Sequence, residues 1–269
     1  MFKLFMSDFY KLFRQKMFYF YLLSIAAITG YLTMVTKIEI QNQYGNIDIA
    51  EFFPNINAFS LCLGFGFVVL PYCMAIFMSC FICSDLQKKT ILLLLVKGIS
   101  RIKYYLSKLL VVISIILLSC IVVVGSGFLS GWYFFNLGTV PEASHLWSML
   151  SAFGLFVALQ AGLFSVFTML FFIVKNVTVG AIISILLLFQ PVMEKIFVFI
   201  YKFLSFAFNI KFDISRYWIG SRFFEPILYL NYYSNVPADI MRELLIIAGA
   251  YFLVCNILGI IAIKKYDVK

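Results

Sequence analysis

Cys80 and Cys83 form a Cys-x-x-Cys, a spacing that serves thiol–disulfide exchange or half of a metal site. Either use needs a second thiol pair or a histidine nearby, and the only histidine in the chain is His145. The six cysteines, Cys62, Cys73, Cys80, Cys83, Cys120 and Cys255, all lie in or at the ends of apolar runs. That placement favours small apolar packing over redox or metal chemistry, and no extracellular disulfide framework is expected. Gly125-Ser126-Gly127 fails as an acyl-transfer nucleophile because it has neither a base nor a Gly-x-Ser-x-Gly elbow. No Walker A phosphate loop, His-Glu-x-x-His or pair of acids inside an apolar run occurs, so the chain is not expected to be an enzyme.

The remaining chemistry is charge, and it is concentrated. Residues 84–108, SDLQKKTILLLLVKGISRIKYYLSK, carry Lys88, Lys89, Lys97, Arg101, Lys103 and Lys108 between two long apolar runs. The apolar middle, Ile91 to Val96, is closed by Gly98 and followed by Ser100, which predicts one short helix stopped by glycine and a second started by a serine cap. A simple connection needs no such half-apolar helix, so this loop is a candidate grip for another protein. Two readings of its lysines stay open: they form part of a docking surface, or they only hold the loop on the positive side of a membrane.

A membrane is required by the elements that flank this loop. Hydrophobic residues make up 64% of the chain and charged residues 12%, outside the range of a soluble domain. A hydrocarbon layer of about 30 Å takes roughly 20 apolar residues per helix, and six stretches qualify: Met17 to Val35, Ala58 to Cys83, Leu109 to Phe135, Trp147 to Val174, Val177 to Met193, and Leu244 to Ile263. The predicted fold is all-α and polytopic, with both termini on one side. The segments on that side hold 14 of the 21 Lys and Arg against three acids, whereas the other side holds seven basic and nine acidic residues. This assigns the termini to the cytoplasm and makes anionic headgroups, not nucleic acid, the natural partner of the net +9 charge.

Ahead of the first span, Phe2, Phe5, Met6, Phe9, Leu12 and Phe13 recur at helical spacing, with Lys3, Ser7, Lys11 and Arg14 opposite them. This predicts an interfacial amphipathic helix over residues 1–16, serving either as an orientation signal or as an elbow that cradles a cytosolic partner. Its basic residues are interleaved with Phe and Leu and no cleavage site follows, unlike a signal peptide. Gly64 and Gly66 in span two predict close helix contact, with a kink or local opening one turn further on at Pro71, and Gly125 to Gly131 in span three predict close approach of a helix from this chain or from a second copy. Gln190, Pro191, Glu194 and Lys195 must end or break span five, since one charge at a helix centre costs on the order of 3 kcal/mol on insertion scales. Residues 194–243 then form an outer insert, read as two short helices at the surface with Tyr201, Tyr217, Trp218, Tyr229, Tyr232 and Tyr233 at headgroup level; a complete spanning hairpin is the alternative. Spans one to four and six hold no ionisable group at mid-membrane, unlike proton- or sodium-driven carriers, so energy for transport must enter from outside the spans.

The amphipathic start SDFYKLFRQKMFYF, six spans, a second inner loop of the form Asp-x-x-x-x-Thr ending in Gly-Ile-Ser-Arg-x-x-Tyr-Tyr-x-x-Lys, and the insert before the last span together resemble the membrane subunit of a bacterial ABC-2 type ABC transporter. The chain is most similar to small permeases of bacteriocin and lantibiotic self-protection or peptide export in Gram-positive bacteria. The resemblance implies a single permease domain over residues 1–269 that binds no cofactor itself. It also implies a second permease copy or paralogue and a separate cytosolic ATPase carrying ATP and Mg. It makes Asp85, Lys88, Lys89, Thr90, Leu93, Gly98, Arg101 and Lys108 the ATPase-coupling residues, with Arg101, Tyr104, Tyr105 and Lys108 on one face of the third span's extension. Phe5, Phe9, Lys11, Phe13 and Arg14 belong to the interfacial helix. Many relatives have Glu where Asp85 stands and Gly where Lys89 stands. A receptor or scaffold with the same docking loop and no transport, and an ATP-independent carrier or channel, are the competing functions.

Overall fold

The computed structural model describes residues 2–44, 58–88, 90–135, 143–208, 217–223, 225–226 and 236–264. Among these, every regular element is helical: α1 (Phe2–Arg14), α2 (Lys16–Tyr44), α3 (Ala58–Gln87), α4 (Thr90–Val96), α5 (Arg101–Phe135), α6 (Ala143–Val174), α7 (Val177–Leu188), α8 (Gln190–Phe208), α9 (Ile219–Arg222) and α10 (Ala238–Lys264). Five of them, α2, α3, α5, α6 and α10, are long and apolar enough to cross a bilayer. The pair α7–α8 counts as a sixth span only if a 76° bend is allowed within it.

That bend corrects the fifth span, expected to run from Val177 to Met193. α7 has 12 residues and ends at Leu188, a rise of only about 18 Å. Pro191 has no N–H to give to Leu187 and its ring crowds that carbonyl, so the helix cannot continue in line. Phe189 leaves helical geometry at the joint, with its N–H shared by the carbonyls of Ile185 and Leu186. The Leu188 carbonyl, freed by the break, accepts the Tyr72 hydroxyl of α3 at 3.2 Å. The expected surface helix of the insert is also longer than predicted, because α8 starts at Gln190 and carries Glu194 and Lys195 exposed.

Helices α2, α3 and α5 pack against one another, α6 joins them through α3 and α5, α10 lies along α6, and α7 lies against α3. Lipid offers no hydrophobic drive for these contacts, so close fit and internal hydrogen bonds must hold them. At Gly66 an added Cβ would stand 2.5 Å from Val123 and 3.2 Å from the Thr29 hydroxyl, which is where α2, α3 and α5 approach. The Thr29, Thr33 and Ser119 hydroxyls donate to carbonyls four residues back, and Tyr21 and Ser119 bond across α2 and α5 at 2.7 Å. α9 reaches into the groove between α6 and α10: Ile219 is fully buried opposite Gly162, and Phe223 packs on Phe156. Arg222 then ties the insert to Glu225 and to Glu243 of α10. Three helices also run further than their apolar cores suggested. α2 continues beyond Val35 to Tyr44, α3 beyond Cys83 to Gln87, and α5 begins at Arg101 rather than Leu109.

Candidate functional site

α1 and α2 meet at Gln15, whose N–H goes back to Leu12 and whose carbonyl accepts from Phe18. This one-residue elbow lays α1 against α5. Rings step along it from Phe5 to Phe9, Phe13 and Phe18, with centroids 4.9–5.6 Å apart, and on to Phe77 of α3. Leu12 is fully buried and Phe5 and Phe9 pack partly inside. Asp8 lies among them, on the apolar face.

Asp8 is there because of Lys108, which is 0% exposed. Its ammonium donates to Asp8 at 2.9 Å and to Asp85 at 2.7 Å. Ser107 donates to the second Asp8 oxygen at 3.1 Å, and Lys11 pairs with the second oxygen of Asp85. The result is a formally neutral tetrad of two carboxylates and two ammonium groups joining α1, α3 and α5. The Phe81 ring lies 4.6 Å from the Lys108 ammonium, adding the attraction of its π-face. Asp85 stands in the last turn of α3, where the helix dipole opposes an anion, so the two ammonium groups are what hold a carboxylate there.

Arg101, Tyr104, Tyr105 and Lys108 follow the i, i+3, i+4, i+7 rule and share one face of α5. That face points into the bundle. Tyr104 and Tyr105 are buried against Phe172 of α6. The Tyr105 hydroxyl donates to Asn256 of α10 at 2.9 Å, its ring seated where Gly259 leaves room. Arg101 donates to the Lys264 carbonyl at the end of α10 at 2.7 Å. Through one face, α5 is fastened to α1, α3, α6 and α10.

Above this lock hangs α4. Its end is a Schellman turn: the Gly98 N–H goes to Leu95, the Ile99 N–H to Leu94, and Gly98 has φ +77°. Ser100 then caps α5 by accepting the Lys103 N–H at 3.3 Å. Ile91 is buried against the bundle, whereas Leu93 is 67% and Val96 87% exposed. One helical edge therefore presents bare apolar side chains beside the exposed Lys88, Lys97 and Gly98.

The residues singled out for coupling thus divide into two sets. Lys88, Thr90, Leu93 and Gly98 belong to the outward part, and Lys89 lies outside the described residues. Asp85, Arg101 and Lys108 belong to the lock beneath it. Of the interfacial set, Phe5, Phe9 and Lys11 join the lock, while Phe13 and Arg14 are exposed, Arg14 over the Tyr10 ring. Asp8 escaped the sequence reading although a carboxylate at the centre of an apolar stripe was its signal. Within the Cys-x-x-Cys the Cys83 thiol is buried, 3.8 Å from the Phe171 carbonyl, and Cys80 is half-buried. Among the described residues no group of His, Cys, Asp or Glu is placed to hold a metal ion.

The fold and the lock describe a multi-pass membrane protein with a structured loop at one end of its bundle. The description "ABC-2 family transporter protein" matches residues 4–205, three quarters of the chain, which therefore belongs to that family of ABC transporter membrane components. Membership implies an ABC ATPase as partner. No curated protein matches the chain.

Proposed function

We propose that the chain is the permease subunit of an ATP-driven bacterial exporter that moves an amphipathic cargo outward, a peptide of the bacteriocin or lantibiotic kind, with both termini in the cytoplasm. The observation that carries this reading is α4, an apolar edge mounted on two short links between the ends of α3 and α5. A cytosolic ATPase seats Leu93 and Val96, with Lys88 and Lys97 flanking. Because α3 and α5 are pinned to α1 and α10 by buried bonds, a push on α4 moves helices rather than deforming a loop, and the bundle rocks as a body. The exposed flank of α5, where Gly125 has open space before it beside Ile121, Phe128 and Leu129, receives the second permease, and the cargo crosses along that seam.

The test is purification of the chain from its native membrane to see whether an ABC ATPase comes with it, combined with export of cargo from cells. Leu93→Glu with Val96→Glu abolishes ATPase association and export while leaving the permease in the membrane. Lys88→Glu with Lys89→Glu separates docking from topology: unchanged association shows that those charges only orient the loop. Absence of any ATPase from the purified complex overturns the reading, and association without ATP-dependent export assigns the chain to a receptor or scaffold instead.

A further inference from the structure

A cavity of about 430 Å³ opens beside the elbow, bordered by the start of α2, the last turns of α3 and the start of α7. That volume falls within the roughly 300–1,000 Å³ of small-molecule sites. Its two halves differ in chemistry. Phe77 and Phe81, both buried, form an aromatic floor, with Met17 and Val177 beside them. Lys16 and Lys88, both exposed, line it as well, with Gln15, Cys80 and Ser84 as neutral neighbours. No carboxylate lines the cavity, and among the described residues neither Lys16 nor Lys88 has an ion-pair partner.

The backbone around the hollow is mixed in sign, because α1 ends at Arg14 and α3 at Gln87 beside it. α2 starts at Lys16 and α7 at Val177, so two helix N-termini border one hollow. Asn176 satisfies the first N–H groups of α7 by accepting from Thr178 and Val179. The two positive dipole ends are offset by the C-terminal ends of α1 and α3, so the net positive charge at the hollow comes from Lys16 and Lys88. Away from the cavity, Met17, Phe20 and Leu23 are all exposed at spacings of three along α2, an apolar track that begins at the cavity wall.

We infer that this cavity binds an anionic phospholipid, its phosphodiester held between Lys16 and Lys88 and one acyl chain laid over the aromatic floor and out along Met17, Phe20 and Leu23. The inference rests on the orientation proposed above, which puts this end of the bundle at the inner headgroup layer. A soluble anion would leave the floor unused, and a cationic amphipathic peptide would meet the like charges of Lys16 and Lys88. A phospholipid matches both halves and is present at the site in the membrane. Its position also matters to the lock: Phe81 lines the cavity and carries the Lys108 ammonium, and Ser84 precedes Asp85. A bound lipid wedges the elbow against α3 and steadies the tetrad.

The full-length permease, purified without its ATPase and delipidated in zwitterionic detergent, is titrated with phosphatidylglycerol or phosphatidylcholine of matched chains, with native mass spectrometry and thermal unfolding as readouts. Phosphatidylglycerol is retained about tenfold more tightly and raises the unfolding midpoint. Lys16→Gln with Lys88→Gln erases the preference, and Lys16→Arg with Lys88→Arg keeps it. Equal retention of the two lipids, a preference that survives in the Gln pair, equal protection by glycerol phosphate without chains, or tighter binding of a cationic amphipathic peptide each overturns the assignment. Should the Gln pair fail to fold, the ratio between the two lipids on the unaltered chain decides. No ATPase is present, so failure of the docking proposal leaves this result readable.

Discussion

Lys108 illustrates how costly the wrong partner set would be. Replacing it with Met leaves Asp8 and Asp85 facing each other across a buried site, and removing one member of such a set costs about 3–5 kcal/mol. The expected outcome is a marked fall in the thermal unfolding midpoint of the purified permease. Adding Asp8→Asn to Lys108→Met removes one stranded charge and recovers part of the loss, because Asp85 keeps Lys11. If the double variant is no more stable than the single one, the tetrad is not an energetic unit. Asp85 and Lys108 were visible in the sequence as polar groups at the ends of apolar runs and Lys11 as part of a polar helix face, but each separately. Lys108 and Asp8 are 100 residues apart, and no local rule pairs positions at that distance.

Local rules worked where the cause was local. Gly98 and Ser100 predicted the stop of α4 and the start of α5 because a left-handed cap and a side-chain cap are each written within a few residues. Pro191 announced the break after α7 but not its 76° direction, which depends on α3 offering Tyr72 to the freed carbonyl. The glycines show the same division. A Cβ at Gly259 would meet the Tyr105 ring and hydroxyl, whereas one at Gly125 meets nothing within 4 Å. Gly259→Ala should therefore cost about 1–3 kcal/mol by overpacking the α5–α10 seam, read as a lower unfolding midpoint of the isolated permease. Gly125→Ala should leave that midpoint unchanged; equal effects at the two positions would show that the seam is not closely packed.

For the molecule entire, apolar runs longer than any soluble helix needs were enough to call the class and five of the spans, since a bilayer admits few alternatives. The α7–α8 pair was not so readable, because a short buried helix and a broken span share the same composition. Sidedness is checked by labelling single cysteines in a chain whose native cysteines are replaced by Ala. Lys88→Cys is expected to react only from the cytoplasmic side and Asp239→Cys only from the outside; labelling of both from one side refutes the orientation. The tetrad also has a consequence for biogenesis. Asp8 leaves the ribosome 100 residues before Lys108, a delay of about 5–20 s at typical rates of synthesis. Until then α1 can pair only through Lys11 with Asp85 of α3, and Asp8 lacks the ammonium that holds it in the bundle. The tetrad therefore closes only after α5 has been made, and its closure requires that helix in register with α1 and α3.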